Sequence, residues 1–219
     1  MLRATLFDMD GLLVDSEILW HKAETEILGD LGVTPIFDNT RYTKGMFVAQ
    51  VVEYWFERYP WTGPTCADVV AQILQRVGDL VESEGVLMPG AERAIALASA
   101  VGPIAVASST PMPLIERTLG HFNLLERFAA VRSADVEEFG KPHPGVFISA
   151  ARAVGQSPKE CLVFEDSAAG VIAGVAATAT VIAVPTVEDR PLPAFGLATL
   201  VLDSLSDLDE AWLAENFRA

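Results

Sequence analysis

The chain reads as an α/β fold: a parallel sheet covered by helices on both faces, with an all-helical insert after the first strand. Two observations predict this. Short apolar runs of β type recur along the chain with helix-like stretches between most of them, whereas residues 16 to 87 show helical spacing only. Alternation of strand and helix is the pattern of parallel βαβ units. Strands buried on both faces carry continuous rather than alternating apolar residues, as these runs do.

The first run, residues 4–7, ends in "DMDG". A strand period of two sends Asp8 and Asp10 to the same side. Two like charges so placed repel, and they persist near an interior where a cation or a proton separates their roles. The insert follows. "SEILWHKAETEILGDLG" spaces Leu19, Ala23, Ile27 and Leu31 as a helix face, and "TCADVVAQILQRVGDLVESEG" does the same with Val69, Ile73, Val77 and Leu80. "KGMFVAQVVEYWFERY" is expected to be helical as well. The chain leaves near Asp15–Ser16 and returns near "LMPGAE", where Pro89 and Gly90 mark a boundary. The expected organisation is a core of residues 1–15 and 88–219 and a helical cap of residues 16–87.

The rest of the core reads in order. Helix "GAERAIALASA" (90–100) precedes strand "PIAVAS" (103–108), and "PMPLIERTLGHF" (111–122) precedes "FAAVRS" (128–133). "PGVFISAARAVG" (144–155) leads to "CLVFE" (161–165), and "SAAGVIAGVAAT" (167–178) to "TVIAVP" (180–185) and "TLVLDSL" (199–205).

Bulk properties narrow the function. The 219 residues are 51% hydrophobic, enough for a sizeable core. No apolar run approaches the roughly 18 residues of a membrane span, and "MLRATLFDMDG" is too short a stretch for a secretory signal. Two cysteines, Cys66 and Cys161, make neither a disulfide scaffold nor a metal cluster, so a reduced, cytoplasmic setting is expected. A net charge of −15 repels nucleic acid and anionic membrane surfaces. An anionic small molecule remains compatible if a local positive site is built for it.

Ligands of open parallel sheets bind beyond the carboxyl ends of the strands. Those ends carry Asp8, then Ser108 and Ser109, then Glu165 and Asp166, while the loop "SADVEEFGKPHPG" carries Lys141. Asp-x-Asp-Gly alone can be a turn, and it is no EF-hand, which needs further ligands before the glycine and a Glu at the twelfth position. Thr110 with Pro111 behind it reads as a helix cap, leaving Ser108 and Ser109 in a loop feeding a helix N-terminus, a natural anion cradle. Pro142 biases Lys141 towards an extended conformation on a stiff loop. Glu165 and Asp166 also suit a helix start.

Together, "DMDG", "ASST", "GKPHPG" and "FEDSAAG" resemble the four motifs of the haloacid dehalogenase-like superfamily, in order and suitably spaced. The resemblance covers the whole chain and implies a Rossmann-like core with an inserted cap. Within the superfamily, "FDMDGLLVDSE", "PWTGP", "LMPGAERAIALA" and "GKPHP" are most similar to bacterial sugar-phosphate phosphatases of the hexitol phosphatase or 2-deoxyglucose-6-phosphatase type. The resemblance implies that Asp8 is a nucleophile forming an aspartyl-phosphate. It implies Mg2+ held by Asp8, Asp166 and the carbonyl of Asp10, with Glu165 as an outer or direct ligand. Lys141, the Ser108 hydroxyl and the Ser109 amide would bind phosphate. Asp10 would protonate the leaving oxygen and then deprotonate water, so the repulsion between the aspartates helps hold a proton where one is wanted. Relatives that cleave carbon–halogen bonds lack this second acid, so phosphoryl transfer is expected.

The alternative is a β-phosphoglucomutase-like transfer between sugar phosphates. That enzyme carries a histidine where Trp20 stands and an arginine where Val48 stands, although Lys44 could partly substitute for the latter. Hydrolysis of a monophosphate by a monomer, with no nucleic-acid or membrane partner, is the simpler expectation. The cap should close over the site and contact the leaving group. Trp20, His21, Lys44 and Met46 are expected to face it, whereas Phe47 and Trp55 read chiefly as cap interior.

Overall fold

The computed structural model describes residues 1–34 and 47–217. Six parallel strands form one sheet in the order β3-β2-β1-β4-β5-β6. They are β1 (Ala4–Phe7), β2 (Ile104–Ser108), β3 (Ala130–Ser133), β4 (Cys161–Glu165), β5 (Thr180–Ala183) and β6 (Leu200–Val201). Phe7 pairs with Val106 on one side and Phe164 on the other, so β1 lies in the middle and its tip projects between the tips of β2 and β4. Strand parity sorts the core. Phe7, Ile104, Val106, Leu162 and Phe164 pack on one face, while Leu6, Ala105, Ala107 and Val163 pack on the other. The rings of Phe7 and Phe164 stack at 5.1 Å.

Helices α4 (Ala91–Val101), α5 (Met112–His121) and α8 (Glu210–Asn216) cover the first face; α6 (Gly145–Ala153) and α7 (Ala168–Ala176) cover the second. β6 is only two residues long, against the seven-residue run expected there. The Ser204 hydroxyl accepts from the Ser206 amide and turns the chain into a short 3-10 segment instead of extending the strand. β3, at the other edge, is half exposed. Among the described residues no helix is long and apolar enough to cross a membrane.

Between β1 and α4 lie α1 (Glu17–Asp30), α2 (Val48–Arg58) and α3 (Cys66–Glu84), packed around a cluster of their own that includes Leu19, Ala23, Val52, Trp55, Ile73 and Leu80. The exit and return of this insert run side by side: the Asp15 amide donates to the Val86 carbonyl at 3.0 Å, and the Met88 amide to the Leu13 carbonyl at 2.9 Å. α3 buries the expected Val69, Ile73, Val77 and Leu80. In α1 the expected stripe widens. Leu19 and Ala23 are buried, Ile27 and Leu31 pack half-buried against the same cluster, and Leu28 and Glu24 join the buried face. The helix stops at Asp30, so Leu31 falls outside it; its amide bonds back to the Leu28 carbonyl. The expected helix at 44–59 is seen over Val48–Arg58, and residues 44–46 lie outside the described residues. Leu114, on α5, joins the helical cluster. Nearby, Arg117 pairs with Asp79 and Glu82 of α3, each at 2.7 Å.

Candidate active site

The tip of β1 is set by its neighbours. The Asp8 amide donates to the Phe164 carbonyl at 3.0 Å, so β1's end is tied to β4. The chain then folds into a tight loop in which the Met9 carbonyl accepts from the amides of Leu12, Leu13 and Val14. Gly11 has φ +74°, and a Cβ there would stand 2.5 Å from Asp166 Oδ2. Only glycine satisfies both the left-handed backbone and the close approach.

Lys141 reaches this tip from the loop before α6, and its peptide bond to Pro142 is cis. The Nζ donates to Asp8 Oδ1 at 2.7 Å and to Glu165 Oε1, and it lies 5.0 Å above the Phe147 ring. Glu165 is fully buried. Its other oxygen, Oε2, accepts from both the amide and the hydroxyl of Ser167, each at 2.9 Å. Ser167 in turn caps α7 by accepting from the Gly170 amide at 3.0 Å. A Cβ on Gly170 would overlap the Glu165 carboxylate, so this cradle too requires glycine.

Burial, the largest influence, pushes the Asp8 carboxyl well above the ordinary aspartate value; Lys141 opposes the shift, and the charges of Glu165, Asp166 and Asp10 add to it. Burial works against the Lys141 ammonium, but the charges of Asp8 and Glu165 outweigh it and hold its pKa above the usual lysine value. Lys141 stays charged. Oxygens of Asp8, Glu165 and Asp166, all buried, lie within 4.8 Å of one another. Several carboxylates around one ammonium leave surplus negative charge, and an all-oxygen donor set suits a hard divalent ion. The residues present fit Mg2+.

Asp10 sits beside this cluster, and its two oxygens face different parts of the molecule. Oδ1 accepts from the Ser16 hydroxyl at 2.7 Å and the Trp20 indole N–H at 3.0 Å. Oδ2 accepts from the Thr110 hydroxyl at 2.7 Å and the Ser108 hydroxyl at 3.3 Å. Thr110 is therefore not the expected helix cap. Pro111 takes the position before α5, and the threonine hydroxyl turns to Asp10 instead. Ser108 accepts from the Thr110 amide at 3.1 Å, which tightens this loop. Ser109 is half-buried, and its hydroxyl oxygen has no partner among the described residues.

The expected site residues Asp8, Asp10, Ser108, Lys141, Glu165 and Asp166 thus come together at the strand tips, with Ser109 adjoining through the loop after β2. Trp20 joins them through Asp10, and His21 follows it, half-buried, on α1. Lys44 and Met46 lie outside the described residues. Phe47 is not cap interior: it packs with the second face of the core, its ring against Gly140 just before Lys141. Trp55 does pack inside the helical cluster. Sequence reasoning missed Ser16 and Thr110 as partners of Asp10, because a Ser or Thr just before a helix carries an ordinary capping signal.

Comparison with known proteins decides the lineage. A family model described as haloacid dehalogenase-like hydrolase matches residues 2–178. The chain belongs to the haloacid dehalogenase-like hydrolases. Hexitol phosphatase B of Escherichia coli (strain K12) is 40% identical to it over 207 residues, 94% of this chain and 93% of that protein. The crystal structure of CbbY from Rhodobacter sphaeroides in complex with phosphate aligns at TM-score 0.85 and 28% identity, over 95% of this chain and 96% of that one. β-Phosphoglucomutase from Clostridium difficile aligns at TM-score 0.84 and 21% identity, over 99% and 97% of the two chains, a likeness of fold alone. The chain is a phosphatase of the haloacid dehalogenase-like type.

Proposed function

We propose that this phosphatase hydrolyses small sugar or sugar-alcohol monophosphates through an aspartyl-phosphate on Asp8. The observation that carries the reading is one buried cluster in which Lys141 binds the tip carboxylate, Asp8, while Asp10 stands beside it on rotatable hydroxyl donors. The 40% identity to hexitol phosphatase B supports the substrate class.

On this reading Asp8, Asp166 and the backbone carbonyl of Asp10 would hold Mg2+. When bound, it supplies positive charge that lets a carboxylate approach a phosphate dianion. Glu165 has one oxygen on Lys141 and the other on Ser167, so its role is to position the ammonium. Asp8 attacks phosphorus in line, forming the O–P bond as the ester O–P bond breaks. Asp10 gives its proton to the departing oxygen. It then takes a proton from water as that water attacks phosphorus, the Asp8–phosphorus bond breaks and inorganic phosphate leaves. Lys141, the Ser108 hydroxyl and the Ser109 amide receive the phosphoryl oxygens.

The two states of Asp10 suit its surroundings. Its two oxygens meet three hydroxyls and one indole N–H. Three of these four partners are hydroxyls, which rotate and can accept a hydrogen bond from the acid form as readily as they donate one to the base. Residues 16–87 act as the cap, pivoting where Asp15 meets Val86 and Leu13 meets Met88. The enzyme works in the cytoplasm, as a monomer, on soluble metabolite esters. Transfer to a second sugar position, as in a β-phosphoglucomutase, is the alternative, and the 21% identity to one solved mutase carries no argument for it.

The test measures phosphate release from hexose and hexitol monophosphates with Mg2+, for wild type and Asp8→Asn. A coupled assay on β-glucose 1-phosphate, with and without the 1,6-bisphosphate, runs in parallel. Release by wild type and its loss in the variant is the expected result. Equal rates for the two proteins would end the reading, and isomerisation without net release would favour the mutase.

A further inference from the structure

One buried carboxyl takes no part in this mechanism. Glu24, on α1, keeps only 8% of its surface exposed. None of the hydrogen bonds or ion pairs among the described residues reaches it. An ionisable group so largely withdrawn from water without a protein partner costs free energy, and its oxygens are not among the fully enclosed unpartnered atoms, so the carboxyl keeps an opening through which a ligand can reach it. Burial alone pushes its carboxyl from an ordinary 4.5 up to about 7, so near neutral pH it can both donate and accept.

Its direction is set by the helix. Residues 17, 20 and 24 share one face of α1, at the i, i+3, i+7 positions. Both lower members of that row point into the site. A Cβ on Gly11 would stand 3.5 Å from the Glu17 Cγ, and the Trp20 indole donates to Asp10 Oδ1 at 3.0 Å. Glu24 continues the row one turn farther, about 6 Å along the helix axis at 1.5 Å per residue. A leaving group must begin at Asp10, which protonates its oxygen, and its body extends from there towards the cap.

We propose that Glu24 is a specificity-determining residue that binds hydroxyl groups on the leaving group, selecting phosphate esters of neutral polyols. The inference rests on the sugar-phosphatase reading above. Sugar hydroxyls donate to the carboxylate and accept from the carboxyl, supplying the partners that the cap's own described residues do not. An ester lacking hydroxyls leaves Glu24 unpartnered in the complex as well and gains nothing from it.

The test compares kcat/KM for glucitol 6-phosphate with that for p-nitrophenyl phosphate, which has no hydroxyls, in wild type, Glu24→Gln and Glu24→Leu. The ratio should fall about tenfold or more in Glu24→Leu, chiefly through KM for the polyol ester, the loss of one or two hydrogen bonds. Glu24→Gln, which keeps a donor and an acceptor, should stay within about threefold of wild type. Glu24→Met replaces the leucine variant if thermal melting shows that one unfolded. An unchanged ratio in the apolar variant, or an equal loss on both substrates, overturns the proposal. Failure of the sugar-phosphatase reading shows elsewhere: wild type itself would then release no phosphate from glucitol 6-phosphate or any hexose monophosphate.

Discussion

A carboxyl group that must give a proton and later take one needs partners that tolerate both of its states. Asp10 has them in Ser16, Ser108 and Thr110, whose hydroxyls rotate, and only the Trp20 indole is fixed as a donor. Asp10→Asn should therefore lower kcat by about 10²–10⁴-fold, the usual contribution of general acid–base catalysis. Trp20→Phe removes one donor to a charged group, worth about 1.5–3 kcal/mol. Steady-state kinetics should show kcat falling about tenfold or more with KM little changed; a change in KM alone would place Trp20 on the substrate rather than on Asp10. Glu24 has a separate consequence for stability. Its folded pKa of about 7 exceeds the ordinary 4.5, so the folded state binds more protons between these values and loses stability as pH rises through that window. Above pH 7 the penalty approaches about 3 kcal/mol, the free-energy equivalent of that rise. Urea denaturation should find Glu24→Gln gaining on wild type by that order at pH 8 relative to pH 4. An equal difference at both pH values would show that Glu24 is not kept from water as its burial indicates.

At the scale of elements, chemistry is delivered by strand ends and held by turns. β1 carries Asp8, β2 leads to Ser108, β4 ends in Glu165, and the glycines at 11 and 170 clear room for the carboxylates behind them. Gly170→Ala should push Glu165 off Lys141 and lower both stability and phosphate release, with a stability loss of about 1–3 kcal/mol for crowding a packed site. Wild-type activity in this variant would mean that the Glu165–Lys141 pair is dispensable. These strand ends were legible in the sequence because apolar runs such as "CLVFE" stop abruptly at charged residues. β6 was overextended because "TLVLDSL" has strand composition, while the turn made by the Ser204 hydroxyl depends on side-chain geometry. The stripe of α1 was legible from Leu19 to Ile27, but Leu31 falls past the helix end because periodicity does not mark where a helix stops. Thr110 and Ser16 were not legible as partners of Asp10. A hydroxyl that caps a helix and one that holds a carboxylate look the same in sequence, and Thr110 meets Asp10 across 100 residues of chain.

Across the whole molecule, a net charge of −15 repels an anionic phosphate ester, and at the strand tips the buried Lys141 supplies a local positive charge against it. The cation that Asp8 and Asp166 would hold on the proposed reading would supply the remaining positive charge, so chelation should abolish turnover and added Mg2+ restore it. The helical cluster and the sheet are joined by more than the paired exit and return segments. Leu114 of α5 packs into the cluster of α1–α3, and Arg117 grips α3. Leu114→Ala should cost about 2–5 kcal/mol in denaturant unfolding; a negligible loss would show that α5 does not anchor the insert. The measurement that bears most directly on the chemistry is rapid quenching of the enzyme with a 32P-labelled hexitol monophosphate, followed by peptide mapping of the label. The expected result is an acid-stable, hydroxylamine-sensitive acyl phosphate on Asp8 that forms only with divalent cation present. Label on any other side chain, or full turnover with the metal chelated, would contradict it.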